Sequence, residues 1–361
     1  MKILAVGDSF VPVPVFERGL AGLHGNHHIE YFQLDESQDF VPVSVSECSI
    51  REYLGTPAQV AARVRDAEVL IVHGGPVTDE VLAAAPALKL ICCARGGPVN
   101  VDVAAASARQ IPVVNTPGKN AESVADQALA FMVMLARGFP KAQRFLIEGG
   151  TLGESAFEGA RFLGHDLGGH VLGLVGFGNV GRRVHRRAVA FGLRLVVYDP
   201  YVKVGDLAST EQVATLAELL ARSDFVSLHV RATAETENFF GSAQFAAMKR
   251  GSYFVNTARE SLVDEEALDA ALASGHLAGA ALDVVKPRAQ EGPHPLLRHE
   301  NVVITPHIGG ATHETLLRGV TMVADEIQRF AAGEPLRAVV NRAALEAPAK
   351  STISRGGSVE A

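Results

Sequence analysis

Gly176-Phe177-Gly178-Asn179-Val180-Gly181 sets three glycines in the spacing G-x-G-x-x-G. An apolar run, 171–175, leads into it, and a segment with Val180, Val184, Ala188 and Phe191 on one helical face leads out. Between a strand and a helix this spacing has a physical meaning. The first glycine permits a tight turn, the second lets backbone approach a pyrophosphate, and the third lets helix and strand pack closely. Amide N–H groups at the helix start, those of Asn179 and Val180 among them, then face phosphate oxygens. The next apolar run, 194–198, ends at Asp199, about 20 residues on, where a dinucleotide fold carries its acid. A carboxylate there accepts from an adenosine ribose diol and repels a 2′-phosphate, so NAD is expected rather than NADP. Arg182, Arg183, Arg186 and Arg187 fall on the helix face opposite the valines, and read as a solvated exterior rather than a nucleic-acid surface.

The chain that must position this motif has 361 residues, 48% hydrophobic and 20% charged with 35 glycines, which suits an α/β protein of two domains. Its net charge of −7 is the wrong sign for a polyanion surface, so no nucleic-acid partner is expected. No apolar run reaches the ~20 residues that span a bilayer, so no membrane partner is expected either. The apolar N-terminal stretch is too short for a secretory signal and reads as a buried strand, which makes the cytoplasm the default compartment. Cys48, Cys92 and Cys93 provide neither a disulfide framework nor metal-ligand spacing, and no metal is expected.

Apolar runs at 3–6, 69–72, 88–92 and 113–114 alternate with helical patterns, the mark of a parallel sheet covered by helices. Runs at 171–175, 194–198, 225–228, 253–256, 280–283 and 302–305 read as six strands of one doubly wound sheet. Val11-Pro12-Val13-Pro14 reads as an extended loop. A long helix is predicted after Thr116-Pro117-Gly118, with Asn120 as its cap and Val124, Ala128, Phe131, Met132 and Leu135 at helical spacing. An amphipathic segment, 316–330, runs back to the N-terminal part. Small, polar, aperiodic residues beyond Asn341 predict disorder and no appended regulatory domain.

Three later segments join the glycine motif: Val255-Asn256-Thr257-Ala258-Arg259, Ala281-Leu282-Asp283-Val284 and Thr305-Pro306-His307-Ile308-Gly309-Gly310-Ala311-Thr312. With 111–118 and 222–229 they give ordered motifs over 72–341 that resemble the D-isomer-specific 2-hydroxyacid dehydrogenases, the family of phosphoglycerate dehydrogenase, glyoxylate/hydroxypyruvate reductase and formate dehydrogenase. The resemblance implies an α/β fold of two Rossmann-like doubly wound domains. An NAD-binding domain, 119–311, would be inserted into a discontinuous flavodoxin-like substrate domain, 1–118 and 312–342, with 343–361 a disordered tail and a homodimer formed through the NAD-binding domain. It also implies hydride transfer between NAD and a small anionic 2-hydroxy or 2-oxo acid, phosphoglycerate-like or a sugar acid. By match to the family's residues, Arg259 would bind the substrate's carboxylate or carbonyl oxygen and His307 would be general acid and base. Asp283 would hold the nicotinamide carboxamide, with the Ala258 carbonyl helping, and His229 and Gly309 would complete the cofactor site beside Gly176, Gly178, Asn179, Val180, Gly181 and Asp199.

Four places depart from the family's pattern. The carboxylate that pairs with its histidine is replaced by Arg288, and Glu291 is the nearest candidate to take its place at His307. In the glycine-rich loop whose N–H groups receive the substrate carboxylate, Arg95 precedes Gly96 and Gly97. Arg231 replaces a common proline and Glu260 a common glycine. Gathered near His307, Arg259 with Arg95, Arg231 and Arg288 would make a polar pocket for a sugar acid or a second anionic group. A rival reading keeps the fold and drops the chemistry: a non-enzymatic NAD(H)-sensing scaffold, as in corepressors of this fold.

Overall fold

In the computed structural model, residues 1–37, 49–151, 156–203, 205, 209–288 and 292–346 are described. The chain starts on β1 (Lys2–Gly7), α1 (Val13–Gly19), β2 (His28–Gln33), α2 (Pro57–Ala61), β3 (Val69–Val72), α3 (Asp79–Ala83), β4 (Leu90–Cys93), α4 (Val103–Ala108) and β5 (Val113–Val114). It continues through α5 (Ala121–Ala136), α6 (Phe139–Ile147), β6 (Val171–Val175), α7 (Asn179–Ala190), β7 (Arg194–Tyr198), β8 (Thr210–Gln212), α8 (Leu216–Arg222), β9 (Phe225–Leu228), α9 (Ser242–Ala247), β10 (Ser252–Asn256), α10 (Glu265–Ala273), β11 (Leu277–Leu282) and β12 (Val302–Ile304), and ends with α11 (His313–Ala331) and α12 (Arg342–Glu346). It divides into two compact units, one of Met1–Lys119 with the chain from His313, the other Asn120–Thr312. Each has a parallel sheet, in the orders β2-β1-β3-β4-β5 and β12-β11-β10-β9-β6-β7-β8. The α/β class with two doubly wound units is therefore what the sequence called for.

Period-2 alternation builds the first unit's two cores. Ile3, Ala5, Val69, Ile71, Leu90 and Cys92 pack with Phe16, Val320 and Val323, while Leu4, Val6, Leu70, Val72, Ile91 and Cys93 pack with Val60, Val81 and Ala106 on the other face. Adjacent Cys92 and Cys93 are thus buried, free thiols on opposite faces. In the second unit Leu172, Leu174, Leu195 and Val197 pack with α5 and α7, and Val196, Val226, Leu228 and Phe254 with the other layer.

Several local expectations are corrected. Val13 and Pro14 open α1 instead of lying in an extended loop, because proline's fixed φ suits a first helical turn. Asn120 stands at the N-cap of α5, but its side chain makes no cap bond. Two edge strands, β2 and β8, escaped the apolar-run reading; β8 is Thr-Glu-Gln, and an edge strand needs backbone pairing more than burial. The second sheet therefore has seven strands among the described residues. The arginine face of α7 is exposed at Arg182 and Arg186, as expected, but Arg183, Arg186 and Arg187 also pair with Glu122, and Arg187 with Asp126, both on α5. Helix α12 carries ordered backbone into the stretch expected to be disordered, and 347–361 lies outside the described residues.

Candidate functional site

Strand register brings the chemistry of the second unit to one edge. Val175 pairs with Leu228, Leu228 with Asn256, Asn256 with Leu282 and Leu282 with Ile304, each at or near the carboxyl end of its strand. Gly176, His229, Thr257, Asp283 and Thr305 come next in the chain, where ligands bind to open parallel sheets.

The glycine loop divides its labour as its spacing predicts. Gly176 has φ +99°, and a Cβ there would lie 2.7 Å from the His229 carbonyl oxygen. A Cβ on Gly181 would lie 2.3 Å from the Gly176 carbonyl oxygen, so α7 can approach β6 only without one. At Gly178 a Cβ would meet nothing within 4 Å. That exposed position borders open space at the start of α7, followed by Asn179, Val180 and Gly181, whose first-turn amides have no acceptor within the helix. Asp199 Oδ2 accepts from Phe177 N at 2.7 Å, while Oδ1 accepts from Tyr201 N and Val202 N at 2.9 and 3.0 Å. Asp199 thus also fastens the glycine loop to β7, with a lone pair left on Oδ2 for a ribose hydroxyl.

Asp283, almost fully buried, organises the loop after β12. Its Oδ1 accepts from Gln127 Nε2, Thr305 Oγ1 and Ile308 N at 2.9, 2.6 and 2.9 Å, and its Oδ2 from Gly309 N at 2.8 Å. The carboxamide role expected of Asp283 therefore has one lone pair left, and its main task is to anchor the loop that carries His307. His307 sits in the left-handed region at φ +55°, held by its N–H bonds to Asp283 O (2.8 Å) and Thr305 O (2.9 Å). A non-glycine residue there costs about 1–3 kcal/mol, which the tethered loop sustains. The His307 ring is exposed and has no hydrogen-bond partner among the described residues. Gly309 is required by packing, because a Cβ would lie 2.6 Å from Gln127 Oε1 and 2.8 Å from Asp283 Oδ2.

Arg259 projects from the turn after β10. Buried Asn256, whose role the sequence reading missed, shapes that turn: its Nδ2 donates to Arg259 O and its Oδ1 accepts from Ala258 N, both at 2.9 Å. Its one signal in sequence is an amide ending an apolar strand. Arg259 Nη1 donates to Ala258 O at 2.6 Å, which takes one of the two lone pairs of the carbonyl expected to help the carboxamide. The neighbouring Thr257 hydroxyl is buried with no partner among the described residues, which leaves a polar group for a ligand at this edge. His229 is only partly exposed, and desolvation of its ring holds its pKa down at about 3; its Nε2 and Ser227 Oγ share a bond at 3.0 Å.

Other expected site residues do not join this edge. Arg288 donates to Pro293 O at 3.1 Å, no hydrogen bond or ion pair joins it to His307 among the described residues, and Glu291 lies outside them. In the first unit Gly96 and Gly97, after β4, are exposed with nothing within 4 Å of a built Cβ, as backbone that receives a ligand requires. Arg95 is not a free cation: its Nη1 donates to Glu52 O at 2.7 Å and its Nη2 to Glu52 Oε2 at 2.6 Å. The sequence reading also missed Asp8 and His73, which follow β1 and β3 directly and are joined by a hydrogen bond at 3.2 Å.

Comparison with known proteins agrees with this geometry. Residues 129–309 match the family described as D-isomer specific 2-hydroxyacid dehydrogenase, NAD binding domain. A glyoxylate reductase of Korarchaeum cryptofilum is 38% identical over 92% of this chain and 95% of its own length. A D-3-phosphoglycerate dehydrogenase of Methanocaldococcus jannaschii is 39% identical over 79% of this chain, which spans only 54% of that longer protein. The crystal structure of the TT0316 protein from Thermus thermophilus superposes with a TM-score of 0.73 at 34% identity, covering 94% of this chain and all of the other.

Proposed function

Because the chain belongs to the D-isomer-specific 2-hydroxyacid dehydrogenase family and is an NAD-dependent oxidoreductase, we propose that it interconverts a D-2-hydroxy acid and its 2-oxo acid through Arg259 and His307. Arg259 offers a planar fork to the carboxylate or carbonyl oxygen of the substrate. His307 gives a proton to that oxygen in reduction and takes it back in oxidation, a role worth about 10²–10⁴-fold. NAD, when bound, supplies or accepts the hydride. The Asn179 and Val180 amides and the open cradle at Gly178 would hold its pyrophosphate, and Asp199 its ribose. The observation that carries this reading is the anchoring of the His307 loop by Asp283, one strand away from the turn that Asn256 braces around Arg259.

The substrate class is a small acid with a polar tail, a phosphoglycerate or a sugar acid. The working form is a homodimer through the NAD-binding domain. In support, α6 buries none of its residues and exposes Phe139 and Ile147, with Leu163 86% exposed nearby. The compartment is the cytoplasm, in keeping with free buried Cys92 and Cys93, and no helix of the described residues is long and apolar enough to cross a membrane. The absence of a carboxylate on His307 among the described residues is what keeps the scaffold reading as a rival. Following NADH absorbance after adding glyoxylate or hydroxypyruvate decides between them. Steady consumption abolished by Arg259→Gln is expected; tight NADH binding with no turnover of any 2-oxo acid would establish the scaffold.

A further inference from the structure

Asp199, the carboxylate assigned to the cofactor's ribose, stands on a turn that a second strand holds in place. Edge strand β8 pairs in parallel with β7, Leu195 with Thr210, Val196 with Glu211 and Val197 with Gln212. The backbone pairing continues one residue further, where Val213 N donates to Val197 O at 2.9 Å. That register sets Gln212 beside the chain that leads from Val197 to Asp199. All of these residues belong to the second unit.

The turn is closed from two sides. The carboxylate closes one: Oδ1 accepts from Tyr201 N and Val202 N at 2.9 and 3.0 Å, while Oδ2 accepts from Phe177 N at 2.7 Å. Gln212 closes the other, its Nε2 donating to Asp199 O at 3.2 Å and to Val202 O at 2.8 Å. An amide nitrogen carries two N–H bonds, so one side chain spans the turn from Asp199 to Val202. Gln212 is exposed and adds little to the core, which makes these bonds rather than packing its contribution to the turn.

The start of β8 is tied to the glycine loop. Thr210 Oγ1 and His185 Nε2 share a bond at 2.7 Å, and the His185 ring stands edge-on to Phe177, centroids 5.7 Å apart and planes at 89°. Burial holds the His185 pKa below its ordinary value, so the ring is neutral near pH 7. Phe177 is the residue whose amide Asp199 accepts, so β8 is joined to Asp199 through both the turn and the glycine loop. The two cofactors depend differently on this joinery. A hydrogen bond to a ribose hydroxyl needs the Asp199 lone pair within a few tenths of an ångström and well aligned, whereas repulsion of a 2′-phosphate falls only as the inverse of distance. A loosened turn therefore costs the bond more than the repulsion.

We propose that Gln212 is a positioning residue for the cofactor: by bonding Asp199 O and Val202 O it aims the Asp199 carboxylate at the adenosine ribose, and so contributes to a preference for NAD over NADP. This rests on the ribose role of Asp199 given above and extends it to the edge strand.

The test measures Kd for NADH and for NADPH by titration calorimetry on the full chain, with no substrate present. Gln212→Ala, and Gln212→Met, which keeps the bulk without the donors, should each weaken NADH binding about threefold and NADPH binding by less than about 1.5-fold, so the ratio of the two narrows. In an Asp199→Ala background the same substitutions should change the NADH Kd by less than about 1.5-fold, because a residue that acts through Asp199 then has nothing left to position. A merely structural loss would weaken both cofactors alike and would persist in that background. Should the alanine variant not fold, Gln212→Met carries the comparison. An unchanged NADH Kd in Gln212→Met, an equal loss for both cofactors, or an undiminished loss in the Asp199→Ala background overturns the inference. Weaker NADH binding in Asp199→Ala leaves the ribose role of Asp199 standing in each of those events; if neither substitution moves the NADH Kd, both fall.

Discussion

Each unit ends a strand on a buried aspartate that holds a histidine, and the two do so differently. Asp8 grips His73 by its ring, so the tautomer is set and the nitrogen left over is an acceptor. Asp283 receives the amides of Ile308 and Gly309, and its own carbonyl takes the amide of His307, so that histidine is held by backbone and its ring is left to exchange protons. A ring locked to a carboxylate suits recognition. A ring on a tethered but unpaired side chain suits acid and base work.

Breaking the backbone grip has the largest expected effect. Asp283→Ala removes the acceptor of four donors, each worth about 1–3 kcal/mol when buried and unsatisfied, so unfolding free energy should fall by at least about 3 kcal/mol. Displacing His307 should also cost about 10²-fold in kcat, measurable under conditions where the variant is still folded. Gly309→Ala drives a methyl against Gln127 and Asp283 and should lower stability by about 1–3 kcal/mol in a denaturant titration. Asp199→Ala sharpens the contrast at the cofactor end: losing one like-charge repulsion of about 1 kcal/mol should cut the NADH-to-NADPH preference in kcat/KM roughly fivefold.

The smallest effect is in pH. His73 and His229 both have depressed pKa values, the second at about 3. The unfolded chain takes up these protons from about pH 6.5 downward, before the native rings do, so stability is complete above that pH and falls as pH drops toward the native values. Thermal midpoints should therefore fall between about pH 6.5 and pH 4, less steeply in His229→Asn. Equal slopes would mean that His229 is not desolvated.

Far more of the second unit than of the first was legible in sequence, for a physical reason. Gly176, Gly178 and Gly181 are dictated by contacts within one strand-turn-helix, so their spacing carries the information locally. Asp8 and His73 are 65 positions apart, and only strand pairing brings them together. The same limit hid the partners of Arg183 and Arg187, whose acids lie on α5, and the capture of Arg95 by Glu52. Edge strands β2 and β8 were missed because their residues are mostly half-exposed and carry no apolar run. Asn256 stood inside a recognised segment, yet only the structure shows it bracing the Arg259 turn.

The most direct test measures kcat and KM of His307→Gln on hydroxypyruvate and NADH. A proton-exchanging ring predicts a loss of about 10²–10⁴ in kcat. A His307→Gln enzyme retaining kcat within about threefold of wild type would contradict the account in which Asp283 holds the His307 loop for acid and base work.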